Sequence, residues 1–290
     1  MEMPEHRLLA CFAHPDDEAF PVGGALAAHT RRGVDVRLVT TTLGEEGEIR
    51  QEGSATRETL GEIRKVELSC AVRALRLGSN DVWGYRDSGM QGWEANNHPR
   101  AFINASASEV VERLALEMRR FRPQVVLTFG PDGLYGHPDH IAICNHTTEA
   151  FRLAADPAAF PEQLADGLEP HQPQRLFYSV RPRGFRRQWA EALRGEGIDW
   201  PWPSPEQELQ GVPEDEVHLE LDVSGDGDME AKIACILCHR TQVAPDWPYH
   251  RVPRHVTARI LGREFYVRAH PPVAGGETVG ADFFQGLGSD

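Results

Sequence analysis

Short apolar runs and helix-spaced apolar positions take turns along the first half of the chain. Leu8-Leu9-Ala10-Cys11-Phe12-Ala13 is continuously apolar, and Val34-Asp35-Val36-Arg37-Leu38-Val39-Thr40 alternates and is rich in β-branched residues, so both predict strands. Between them Gly24 to Arg32 carries Ala25, Leu26 and Ala28 at helical spacing and stops before Gly33, completing a βαβ unit. A second helix is expected from Ala55 to Leu77, with Leu60, Ile63, Val66, Leu68, Val72 and Leu75 on its apolar positions and Gly78 as its stop. A third begins at Ser106 or Ser108, a natural N-cap, and runs to Phe121, where Pro123 breaks the pattern. Gln124-Val125-Val126-Leu127-Thr128-Phe129 then predicts another buried strand.

This alternation predicts an α/β fold: a Rossmann-like, doubly wound and mostly parallel sheet with right-handed crossovers. In the usual strand order of that architecture the first and fourth strands are neighbours at the switch point where ligands bind. Beyond about residue 155 the texture changes. Asp156-Pro157, Phe160-Pro161, Glu169-Pro170, Gln172-Pro173 and Pro201-Trp202-Pro203-Ser204-Pro205 punctuate the chain. Arg175–Val180 and Glu216–Val223 still predict strands, and Met229–His239 a helix. We therefore expect one domain over 1–290, with core motifs in 1–155 and a less regular part, 156–290, shaping a substrate pocket.

With 290 residues and 40% hydrophobic content the chain is long enough for a large core. Acidic residues outnumber basic ones, 44 to 30, for a formal charge of −14, which argues against a nucleic-acid partner. The N-terminal Met1 to Arg7 lacks a basic n-region, and no stretch reaches the roughly 20 apolar residues of a membrane span. A cytoplasmic location is the expectation. Five cysteines, Cys11, Cys70, Cys144, Cys235 and Cys238, imply no disulfide framework and are expected as reduced, buried thiols. Cys235-Ile236-Leu237-Cys238-His239 matches a haem-attachment pattern, but its apolar neighbours read as an ordinary helix face.

The chemistry concentrates in two runs placed after the first and fourth predicted strands: Ala13-His14-Pro15-Asp16-Asp17-Glu18 and Tyr135-Gly136-His137-Pro138-Asp139-His140. His14, Asp17 and His140 offer two imidazoles and a carboxylate, a donor set suited to a catalytic divalent metal. Asp16, next to a ligand without needing to be one, is placed to accept a proton from water; otherwise it orients a ligand or charges a helix N-terminus. His137 and His140 share one helix face, so one can bind metal while the other meets substrate, with Asp139 available to hold the tautomer of His137. Tyr135 could donate to a developing oxyanion. The plainer alternatives are a structural loop role for His137 and a packing role for Tyr135.

The two runs, together with Arg64-Lys65-Val66-Glu67-Leu68 and Arg86-Asp87-Ser88-Gly89-Met90, resemble the PIG-L/LmbE-like family of zinc-dependent N-acetylglucosamine deacetylases. The likeness covers most of residues 7–150. It implies that His14, Asp17 and His140 bind zinc, with ferrous iron as the alternative, that Asp16 is the base and that His137 stabilises charge or protonates the leaving amine. It further implies that Arg64 and Asp87 contact the sugar and that Tyr135 assists at the oxyanion. Gly44-Glu45-Glu46-Gly47-Glu48 resembles a loop near the pocket, and His239-Arg240-Thr241-Gln242 an element at its rim. Read from residues alone, Arg64 and Glu67 could form an exposed ion pair, Asp87 could cap Gly89 in a turn, and the glutamates could be a solvated run.

The expected reaction is metal-assisted removal of an acetyl group from an N-acetylglucosaminyl conjugate. A related amidase acting on a thiol conjugate is the alternative enzyme, and a non-catalytic sugar-binding module the alternative class. A nucleotide-binding module is disfavoured because His14-Pro15-Asp16-Asp17 stands where a glycine-rich phosphate loop would be needed. The expected partner is a small N-acetylated amino-sugar conjugate; a homo-oligomer, dimer or hexamer, stays open by analogy alone.

Overall fold

In a computed structural model, the structure describes residues 6–225, 227–248, 252–273 and 279–287. Residues 1–5, read above for a targeting signal, lie outside them. Five parallel strands form the framework: β1 (Arg7–Phe12), β2 (Asp35–Thr42), β3 (Ser79–Tyr85), β4 (Val125–Phe129) and β5 (Arg175–Val180). Two antiparallel strands, β6 (Leu219–Asp222) and β7 (Arg263–His270), extend one edge, giving the order β3-β2-β1-β4-β5-β7-β6. β1 sits between β2 and β4, with Leu8 opposite both Val36 and Val125, so it is covered on each side and every residue from Leu8 to Phe12 is buried.

The helices are α1 (Gly23–Arg31), α2 (Leu60–Ala74), α3 (Ala107–Phe121), a short turn α4 (Gly133–Gly136), α5 (Pro138–Leu153), α6 (Pro161–Ala165), α7 (Phe185–Gly195), α8 (Pro205–Leu209), α9 (Asp228–Cys238) and α10 (Arg254–Leu261). α9 packs on α1 and α2, whereas α3 packs on α5. The right-handed crossover from β3 back to β4 puts that second group on the other face of the sheet. α3 shows why the pattern works: Val110, Val111, Leu114, Ala115, Met118 and Phe121 form one buried stripe, and left-handed Arg122 ends the helix.

Two expectations are corrected here. α2 starts at Leu60 rather than Ala55, because Ser54 and Thr59 turn the preceding segment on itself through bonds to Gln51 and Thr56. The cysteines are not all reduced: Cys70 on α2 and Cys238 at the end of α9 form a disulfide, with Cα atoms 5.6 Å apart across 168 residues. The packing of two helices distant in sequence creates that pair. Cys11, Cys144 and Cys235 are free and buried.

Candidate active site

The loop after β1 and the N-terminus of α5 meet at the carboxyl ends of β1 and β4, the switch point of the sheet. Asp17 fixes the first loop by accepting the backbone N–H groups of Ala13 (3.1 Å) and His14 (2.7 Å). His137 is the N-cap of α5; its Nδ1 accepts the Asp139 N–H at 3.2 Å, and Pro138 follows at the first helical position. One turn in, the His140 ring stacks on Phe129 with centroids 4.0 Å apart.

Hydrogen bonds settle which nitrogens are free. His140 Nδ1 faces the Gly133 carbonyl at 3.1 Å, so it carries the proton and Nε2 keeps a lone pair. His14 Nε2 faces Asp139 at 3.2 Å and Asp87 at 3.4 Å, which makes it a donor and orients Nδ1 the other way. Nδ1 of His14 then lies 3.1 Å from Nε2 of His140, while Asp17 oxygens stand 3.5 Å and 3.3 Å from those same atoms. Such a cluster of donor atoms suits a cation at its centre. Donors 2.0–2.1 Å from a tetrahedral ion are about 3.3 Å apart, so the observed separations fit one. Without a metal ion a proton can take that place: burial opposes it, but the carboxylates of Asp87, Asp139 and Asp17 raise the pKa of His14 well above the ordinary value. Burial pushes Asp17 up, yet the two imidazoles hold it well below the carboxylate range.

Asp16 adopts a left-handed φ of 109°, a strain of about 1–3 kcal/mol for a residue with a side chain. Its carboxylate meets Arg64 at 3.2 Å and faces the cavity. Burial pushes its pKa up to about 6, against the pull of Arg64. His137 is driven the opposite way, to about 3, by burial and by the neighbouring His14 and His140. It is therefore a neutral imidazole with Nδ1 occupied as an acceptor, which leaves Nε2–H as a donor toward the cavity.

Several expected contacts are rearranged. The Asp139 carboxylate holds His14 and accepts the Ser88 N–H at 2.9 Å; its backbone N–H, not its side chain, meets His137. Arg64 lines the cavity but is 3% exposed and spends its guanidinium on Asp16 and on the carbonyls of Gly44 and Pro15. It forms no pair with Glu67, which instead accepts the Thr241 N–H and hydroxyl at 2.8 and 2.7 Å. Asp87 caps Gly89 at 2.8 Å and also faces His14 and, at 3.8 Å, His137. Tyr135 is 40% exposed on the cavity wall, its ring 5.1 Å from that of His140. The Gly44 loop is structural as well as peripheral: Glu45 accepts the Asp87 N–H, Glu46 pairs with Arg86, and Gln242 donates to the Glu48 carbonyl.

A cavity of roughly 700 Å³ opens above these groups. Five of the six tryptophans, Trp93, Trp189, Trp200, Trp202 and Trp247, line it, together with Arg181 and Arg186. Most of that wall comes from the irregular C-terminal part, where Pro201-Trp202-Pro203-Ser204-Pro205 reads only as a loop in the sequence. Glu18, to which no spacing in the sequence assigns a role, is fully buried and accepts the Asp16 N–H at 3.0 Å and a bond from His239 Nε2 at 2.6 Å.

The family profile described as PIG-L, GlcNAc-PI de-N-acetylase, matches residues 9–151. A 1D-myo-inositol 2-acetamido-2-deoxy-alpha-D-glucopyranoside deacetylase of Saccharomonospora viridis is 37% identical over 290 residues, covering 97% of this chain and 100% of that protein. The chain belongs to the PIG-L family of N-acetylglucosaminyl deacetylases. A second deacetylase of the same name, from Thermomonospora curvata, is 36% identical over 99% of both chains. PIG-L membership by the profile stops within α5, but these relatives match the C-terminal wall too. Among solved structures, N,N'-diacetylchitobiose deacetylase from Pyrococcus horikoshii matches with a TM-score of 0.63 at 20% identity, over 90% of this chain and 83% of that one. A 4-carboxy-2-hydroxymuconate hydratase from Pseudomonas putida matches with 0.61 at 20% identity, over 94% and 99%. Those two likenesses establish the fold, and the second shows that this fold alone does not dictate deacetylation.

Proposed function

We propose that this deacetylase acts on an N-acetylglucosaminyl glycoside with a polyol aglycone, of the kind named for its relatives, and that it uses a divalent metal, zinc or ferrous iron, held by His14, Asp17 and His140. The observation that carries the reading is the facing of His14 Nδ1 and His140 Nε2 at 3.1 Å beside the Asp17 carboxylate, on the floor of a cavity large enough for a conjugate. When bound, the ion supplies Lewis-acid chemistry to the carbonyl and to water.

The chain's own groups divide the remaining work. Asp16 takes the proton of the attacking water at its carboxylate, and a basicity near 6 lets it do so at neutral pH. His137 Nε2–H donates to the oxygen on which negative charge builds, a pre-aimed donor of the kind that usually contributes most to acyl transfer. The proton held by Asp16 is then positioned to return to the departing amine. Tyr135, on the same wall, is a further donor for the oxygen. Arg64 keeps the Asp16 carboxylate aimed rather than gripping the sugar. The tryptophans cover the far end of the conjugate, where apolar ring faces stack on their indoles.

Asp16→Asn should keep one equivalent of metal and lose at least ~100-fold in kcat. His14→Ala and His140→Ala should instead lose metal by elemental analysis. Full turnover in the first variant, or unchanged metal in the other two, would overturn these assignments.

A further inference from the structure

The second half of the first motif holds a device that the reaction scheme leaves unused. Glu18 is fully buried, yet its carboxylate is surrounded by donors: the Asp16 N–H at 3.0 Å on Oε2, and on Oε1 His239 Nε2 at 2.6 Å and Cys235 Sγ at 3.6 Å. His239 is itself fully buried at the end of α9. On the other side of Asp16, its carbonyl accepts the Ala19 and Phe20 N–H groups at 3.0 and 3.4 Å. The Asp16 backbone is thus clamped at both ends, in a left-handed conformation that a residue with a side chain resists.

We infer that Glu18, backed by His239, is a positioning residue: through the Asp16 N–H it holds the backbone of Asp16 in its strained φ and so aims the carboxylate at the reacting water. A buried carboxylate is costly unless its lone pairs are satisfied, and here His239 and Cys235 satisfy the oxygen that does not serve Asp16. The clamp also ties the active-site loop to α9, which supplies Cys235 and leads into His239. This inference rests on the reading of Asp16 as the base.

The test is a double-mutant cycle in the metal-loaded full chain. Glu18→Ala should lower kcat by about 10- to 100-fold, the scale of a misaimed catalytic group, with KM within about twofold and metal content unchanged. Glu18→Gln, which keeps an oxygen for the Asp16 N–H, should recover most of that loss and keeps the test decisive should Glu18→Ala not fold. In the Asp16→Asn background, Glu18→Ala and Glu18→Gln should have no further effect on kcat. Multiplicative losses in that background, or a Glu18→Gln variant as impaired as Glu18→Ala, would overturn the inference while leaving Asp16 as the base. So would loss of a second metal equivalent on changing Glu18, which would make Glu18, Cys235 and His239 a metal site. A fully active Asp16→Asn enzyme would instead sink the reading on which the inference rests.

Discussion

At the scale of single residues, the site is assembled from side chains that hold other side chains. Gly44 illustrates this: a Cβ there would lie 2.1 Å from Arg64 Nη1, and its φ of 68° belongs to the left-handed region. The guanidinium that aims Asp16 therefore occupies the space a side chain would need. Gly44→Ala should destabilise the protein by about 1–3 kcal/mol from backbone strain alone, and should lower kcat as Arg64 is displaced; chemical denaturation and steady-state kinetics measure the two effects. His29 gives a pH-dependent prediction away from the His14, Asp17 and His140 cluster. Its Nδ1 bonds the Ala25 carbonyl at 2.7 Å, its ring stacks on Phe283, and burial lowers its pKa. The unfolded chain takes up a proton on this histidine below about pH 6.5, where the folded chain does not. The associated stability is thus full above that pH and is lost as pH falls below it. His29→Gln should flatten the fall in stability between about pH 7 and 5, as followed by urea titrations, and an unchanged slope would count against it.

At the scale of elements, local pattern and tertiary packing separate cleanly. β5 was legible to the residue because Arg175–Val180 is bounded by prolines and filled with strand formers, and α3 because its apolar stripe is unbroken. The meeting of His14, Asp17 and His140 was legible for a different reason: the segments that follow β1 and β4 start from strand ends whose neighbours the topology dictates. What was not legible depends on helices meeting. β3 carries Asn80, Asp81 and Gly84 in place of an apolar run, and it forms as the edge partner of β2. Glu67 looked like a partner for Arg64 along one helix, but Thr241 arrives from beyond α9 and takes it. The Cys70–Cys238 bond is the covalent version of the same α2–α9 contact. A bridge closing so long a loop should contribute about 2–4 kcal/mol. Cys70→Ser should reduce stability by that order in oxidising buffer and have little effect once the wild-type protein is reduced; equal stability of the two oxidised proteins would contradict this.

For the whole molecule, the sheet order brings two motifs some 120 residues apart to one switch point, and the C-terminal part closes over them. No helix of the described residues is long and apolar enough to cross a membrane. The net charge of −14 does not prevent the cavity from carrying Arg50, Arg181 and Arg186 along with its tryptophans. Charge counted over the chain argues against a nucleic-acid partner, but it could not foresee where the arginines gather. The aromatic wall was likewise hidden, since Trp189, Trp200, Trp202 and Trp247 lie in segments whose spacing follows neither a helix nor a strand across the set. By the proposed function, this cavity and its His/Asp floor remove acetate from an N-acetylglucosaminyl glycoside with metal assistance. The most direct measurement is acetate and free-amine release from an N-acetylglucosaminyl inositol glycoside, by the purified protein stripped with chelator and then given one equivalent of zinc or ferrous iron. Turnover should vanish on stripping and return with the metal; equal turnover without metal, or no acetate from the metal-loaded protein, would contradict the proposed function.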